Sequence, residues 1–217
     1  MPVQRKNLPG GRNGDGDYAG RIKNSELVRT RQGQIMDAAL DLFLEKGYGS
    51  TTIRDICASS GINQASIYDY VEGKEDILSK IFHRMHNPSD DNETRQEFST
   101  AKATDLESYI SNYLQFAWRE NPKAILLVYR EARRLPDADR REMLRRDAAL
   151  VERIARDVAK FAGVRGDGER YRMVAETLVF FAAFLPFRQW HLKDMDIDTL
   201  VENVTRMVLA AVKDLQR

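Results

Sequence analysis

Apolar residues recur at three- and four-residue spacing through most of this chain, and no stretch alternates strictly in twos, so the pattern confines the fold to packed helices. What most constrains those helices is where they are interrupted. Between Gly47 and Gly73 the breakers lie so close together that each intervening helix has room for only about two turns. Ahead of them, Ile35, Ala39, Leu42 and Phe43 mark one face of a longer helix that Gly47 and Gly49 stop. Thr52 and Asp55 occupy the N-cap and N3 positions of a capping box, with Ile53, Ile56 and Cys57 on the apolar side of the helix it opens. Gly61 fits a left-handed turn closing that helix, Ile62 a core plug, and Asn63 a cap for a third helix running to about Tyr70. After Glu72 and Gly73, a fourth helix from Lys74 to His86 carries Ile77, Leu78, Ile81, Phe82 and Met85, and Pro88 ends it.

Short helices with a tight turn between the second and third describe a helix-turn-helix. A duplex major groove about 12 Å wide admits one helix, and the preceding helix crosses the backbone. The third helix is thus the expected reader. Gln64, Ala65 and Ser66 stand at its N-terminal end, where Gln suits adenine, Ala a thymine methyl, and Ser is permissive. Tyr68 and Tyr70 carry hydroxyls suited to phosphate, as do Thr52 with the unpaired N–H groups beside it, Arg54, and Lys74. Ile62 and Ile67 are expected to face inward. Basic and acidic residues cancel over residues 21–86, so a basic footprint requires segregation. The i+4 stripe of Asp37, Asp41 and Glu45 is expected on the outer side of the first helix, with Arg29, Arg31, Arg54 and Lys74 toward the duplex. Asp69 on the reading helix is expected to face solvent beside the DNA.

The segments AALDLFLEKGY at 38–48, TTIRDI at 51–56, GINQASIYDY at 61–70 and GKEDIL at 73–78 resemble, in order and spacing, the DNA-binding domain of the TetR/AcrR family of bacterial transcriptional regulators. The resemblance spans about a fifth of the chain, with Val71 where the family often has Phe and Cys57 where Ala is common. It implies a homodimeric repressor that holds a double-stranded DNA operator of palindromic form and is released by a small-molecule effector. The segment Tyr129-Arg130-Glu131-Ala132-Arg133-Arg134-Leu135 is similar to one in members that sense acyl-CoA thioesters, which implies a hydrophobic or acyl-CoA-like effector.

The chain thus divides into a flexible N-terminal arm at 1–24, a helix-turn-helix unit at 25–87, and a helical ligand-binding and dimerisation unit at 88–217 that opens with a polar linker. The fold class is all-α, with about nine helices. In the C-terminal unit two helices are apolar on more than one side, which suits a subunit interface through Val174, Leu178, Phe181, Val204, Val208 and Ala211. Aromatic residues with nearby cations, namely Tyr113, Phe116, Tyr129, Arg130, Arg133, Phe184 and Arg188, are the expected lining of an effector pocket.

Other functions find little support. Net charge is only +1, so composition names no partner, and one cysteine closes no disulfide within the chain. The longest apolar run, 178–187, falls well short of the roughly 20 residues of a membrane span, and no apolar leader opens the chain, so a cytoplasmic protein without a membrane partner is expected. His83 and His86 lack a third ligand at metal-binding spacing, so no metal is expected. No phosphate loop, nucleophile elbow or cofactor motif is present, so neither a cofactor nor an enzyme is expected. The alternative is a helical interaction or sensor protein without a specific DNA site.

Overall fold

The computed structural model describes residues 15–86, 103–164 and 169–216, with side chains in the first segment described for 25–85. Among the described residues there is no strand. Helix α1 (Asp15–Glu45) is followed by α2 (Ile53–Ser60), a 3₁₀ turn (Ile67–Asp69) and α3 (Lys74–His86). Helix α4 (Leu106–Gln115) runs into a π-helical turn (Phe116–Glu120). Then come α5 (Pro122–Glu131) with a 3₁₀ turn (Ala132–Arg134), α6 (Asp137–Phe161), α7 (Arg172–Leu192) and α8 (Ile197–Leu215). The all-α class holds, with eight α-helices among the described residues; the expected reading helix is the 3₁₀ turn.

One boundary differs from expectation. Helix α1 begins at Asp15, inside the arm expected at 1–24, because a helix already nucleated downstream extends at one hydrogen bond per residue added. Residues 1–14, most of the linker (87–102) and the turn at 165–168 lie outside the described residues. Helix α7 runs to Leu192 through Pro186. Proline removes one helical N–H and crowds the preceding turn. Here Pro186 is buried, and Trp118 from the π-helical turn donates its indole N–H to the Phe181 carbonyl at 3.0 Å, tying that turn to the strained stretch.

Two apolar cores form. One gathers Ile110, Leu114, Ile154, Leu178, Val204 and their neighbours from α4, α6, α7 and α8. The other packs Ile35, Phe43, Ile56, Ile67, Ile77 and Leu78 from the N-terminal helices, and it also takes in Leu127 of α5 and Leu135. Those two are 1% and 4% exposed, so the C-terminal unit supplies part of the N-terminal core.

The expected subunit interface is corrected by this packing. Val174, Leu178, Val204 and Val208 are buried in their own chain's core and cannot meet a second copy, and Phe181 packs against the same core. A helix apolar on several sides here satisfies α4, α6 and its own neighbour. Ala211 is exposed, as are Met173 and Phe180 on α7 and Met207 on α8.

Candidate nucleic-acid interface

The helix-turn-helix is built by local hydrogen bonding that the sequence dictates. Thr52 caps α2: its hydroxyl accepts from the Asp55 N–H at 3.1 Å, and the Asp55 carboxylate accepts from the Thr52 N–H at 2.9 Å and hydroxyl at 2.7 Å. These bonds, the hydroxyl's first, lower the Asp55 carboxyl from 3.8 to about 2. At the other end Gly61, with φ of +70°, turns the chain in a left-handed conformation that a side chain would strain.

Residues 62–71 then form the reading segment. Asn63 accepts the Ala65 N–H on its side chain at 2.9 Å, while its carbonyl takes the N–H groups of Ser66 and Ile67. The Tyr70 and Val71 N–H groups both converge on the Ile67 carbonyl, which tightens the segment to a 3₁₀ turn. Short polar side chains that compete for backbone N–H groups, in a stretch too short to propagate, explain why no α-helix forms. Ile62 and Ile67 are buried, as expected, and anchor the segment. Gln64, Ala65, Tyr68 and Asp69 are exposed and Ser66 is half-buried; Tyr68 is 58% exposed. Tyr70 is half-buried against the core, and its carbonyl accepts from the Gln32 amide at 3.0 Å, joining the segment's end to α1. Arg54 is exposed on α2.

Two expected phosphate contacts turn out to be structural. The Thr52 hydroxyl and N–H are both taken by Asp55, whose carboxylate already occupies the end of α2. Lys74 turns its ammonium inward, donating to the carbonyls of Tyr48 at 2.9 Å and Thr51 at 2.6 Å, and lies 4.7 Å from the Tyr48 ring centre. The ammonium thus serves the loop between α1 and α2. Thr51, fully buried, donates its own hydroxyl to the Gly47 carbonyl at 2.9 Å. Cys57 and Val71 are both buried in the core.

The acidic stripe is exposed on α1, as expected, and two of its members carry surface ion pairs: Asp37 with Arg84 of α3 at 2.6 Å and Asp41 with Lys123 of α5 at 2.7 Å. Asp139 of α6 accepts from Ser79 at 2.5 Å and lies 3.6 Å from His83.

The expected effector-pocket residues come together only in part, with Tyr113 and Tyr129 close enough for their hydroxyls to interact. Tyr113 is buried in the C-terminal core, which pushes its hydroxyl pKa up. Phe116 lies in the π-helical turn, half-buried. Arg130 donates to the Leu44 carbonyl at 3.2 Å, capping the end of α1 instead of meeting a ligand. Tyr129 packs edge-on against Phe187, Phe184 edge-on against Phe181, and Arg133 and Arg188 are exposed. A cleft of about 340 Å³ opens elsewhere, between α1, α3 and the start of α5, where Leu40, Ile81, Arg84, Arg119, Pro122 and Lys123 line it. Its walls come from helices distant in sequence, so no local motif marked it.

The fold and the exposed reading segment define an all-α protein of the helix-turn-helix class. Residues 35–81 match the family model described as bacterial regulatory proteins, tetR family. Over this segment the chain is similar to regulators of the TetR/AcrR family. It is 43% identical over 54 residues, a quarter of its length, to the biofilm operon icaADBC negative transcriptional regulator IcaR of Staphylococcus epidermidis. That match covers 29% of IcaR, and the match to KstR2 of Mycobacterium tuberculosis 27% of that protein, so the chain spans less than a third of the length of these curated relatives. The fold extends further. A tetR-family regulatory protein from Rhodococcus RHA1 superposes with a TM-score of 0.66 at 19% identity, over 84% of this chain and 96% of that one. The structure of AibR in complex with isovaleryl coenzyme A and operator DNA superposes with a TM-score of 0.65 at 16% identity, over 82% and 97%. Among the described residues no helix is long and apolar enough to cross a membrane, and no group of His, Cys, Asp and Glu is placed to hold a metal ion.

Proposed function

We propose that this chain is a cytoplasmic, sequence-specific DNA-binding regulator, acting as a homodimeric repressor that a small effector releases from a palindromic operator. The observation that carries the reading is the outward display of Gln64, Ala65 and Tyr68 on a segment whose buried Ile62 and Ile67 fix its angle. Ser66, Tyr70 and Arg54 flank that face, while Thr52 and Lys74 hold it in place. A residue with an adenine-reading amide and one with a phosphate-reading hydroxyl are what a groove-facing turn needs.

Two copies reading successive major grooves lie about 34 Å apart, which demands a two-fold dimer. The exposed Met173, Phe180, Met207 and Ala211 provide the apolar surface for it. Support for an effector comes from a structural relative solved with isovaleryl coenzyme A and operator DNA together. A hydrophobic or acyl-CoA-like ligand fits the same reading here. By linkage it must bind the DNA-free conformation more tightly, and operator DNA must weaken it reciprocally.

The test is fluorescence anisotropy with a duplex that the full chain selects from fragments of its genome. Gln64→Ala with Tyr68→Ala is expected to abolish selective binding and leave the melting temperature unchanged. Undiminished selectivity in that variant would place the reading face elsewhere, and a wild-type chain that selects no duplex would return it to the interaction-module reading.

A further inference from the structure

We propose that Arg134 is a positioning residue for operator recognition, holding the helix-turn-helix in its reading shape from outside that unit; this rests on the DNA-binding function above. Two cations from different parts of the chain meet at one ring. The Arg134 guanidinium lies 5.3 Å from the centre of the Tyr48 ring, and the Lys74 ammonium lies 4.7 Å from it. Arg134 is itself held, its Nε donating at 2.7 Å to Glu131, whose side chain is only 11% exposed. The next residue, Leu135, is buried in the N-terminal core, so the backbone that carries Arg134 is anchored where the ring is.

What depends on the ring is the reading segment. Through its bonds to the Tyr48 and Thr51 carbonyls, Lys74 joins the first residue of α3 to the loop that leads into α2. The residues from α2 through the 3₁₀ turn are therefore held at both ends beside a single aromatic group. A ring with a cation from each unit against it resists sliding, because displacement weakens both attractions. Helix α5 ends three residues before Arg134, so any shift of α5 reaches the reading segment through this contact. Tyr48 and Arg134 lie 86 residues apart in the chain, so no local pattern links them.

The test measures anisotropy of two labelled duplexes: one carrying the sequence the full-length wild-type chain selects from a random library, and a scrambled one of equal length. Arg134→Met keeps the aliphatic stem and removes the charge. It is expected to weaken binding to the selected duplex about five- to tenfold, with the scrambled duplex and the salt dependence unchanged. Arg134→Lys, which restores a cation, is expected to stay within about twofold, as is Tyr48→Phe, which keeps the ring. Circular dichroism and a thermal melt establish that each variant is folded at the assay temperature, which Arg134→Met requires because it also takes the partner from the mostly buried Glu131 carboxylate. An Arg134→Met protein that binds the selected duplex within twofold of wild type overturns the proposal. So does an equal loss on both duplexes with the salt slope reduced by about one, which marks a direct phosphate contact instead. A wild-type chain that selects no sequence at all sinks the DNA-binding function itself, a different result from either.

Discussion

Leu127 lies on α5, in the C-terminal unit by sequence, yet its side chain is 1% exposed and packs with the N-terminal core. Leu127→Ala removes three buried carbons and leaves a space that α1 and α3 cannot close without moving relative to α5. Truncations of this kind combine lost transfer energy with a cavity term, and about 3 kcal/mol is the expected cost here. For a chain of this size that lowers the melting temperature by roughly 6–12 °C. Guanidinium unfolding at fixed protomer concentration gives the total, and hydrogen exchange gives its location. Protection is expected to fall along α1, around Ile35 and Phe43, although the substitution is more than eighty residues away in the chain. Leu144→Ala on α6, at a side chain 55% exposed, is the control and should change stability by less than about 0.5 kcal/mol. A loss below about 1 kcal/mol, or one confined to α6 and α7, would refute the shared core.

Three further outcomes follow from the same packing. An added Cβ at Gly61 meets nothing within 4 Å, so Gly61→Ala should destabilise only through its left-handed backbone, by about 1–2 kcal/mol in a thermal melt; a neutral result contradicts the turn. The Asp55 carboxyl is lowered from 3.8 to about 2 in the folded chain, so its contribution is present above pH 3.8 and is lost as pH falls from there through 2. The stability difference between wild type and Asp55→Asn should shrink over that window, and a difference constant from pH 6 to pH 2 removes the capping box as its source. Phe180→Glu and Met207→Glu should each yield a helical monomer in sedimentation, whereas Leu178→Ala should lower stability instead of splitting the dimer. Intact dimers in both charged variants would move the interface elsewhere.

Local chemistry made most of the N-terminal unit legible. The Thr52–Asp55 capping box, the Gly61 turn and the inward Ile62 and Ile67 are each decided within a few residues, and each stands as the spacing indicates, whereas Asn63, expected to cap a third helix, accepts from the Ala65 N–H in a turn ahead of the 3₁₀ segment. Burial that depends on partners remote in sequence was not legible. Val174, Leu178, Val204 and Val208 form an apolar stripe whether it meets another subunit or the chain's own α4 and α6, and periodicity does not distinguish the two. The i+4 acidic stripe is the solvated face its spacing indicates, but its partners Arg84 and Lys123 come from other helices and left no local mark. Lys74 was assigned to phosphate because a lysine opening a helix near DNA usually has no closer acceptor; the Tyr48 and Thr51 carbonyls supply two.

The lodging of Leu127 and Leu135 among the N-terminal helices bears on how heads of this kind can be exchanged between regulators. A chimera cut in the polar stretch after α3 would transplant a head lacking two of its own interior side chains and leave the recipient with two leucines facing water. A graft that also carries the end of α5 and its following turn would keep the head filled, and would bring Arg130 and Arg134 along with it.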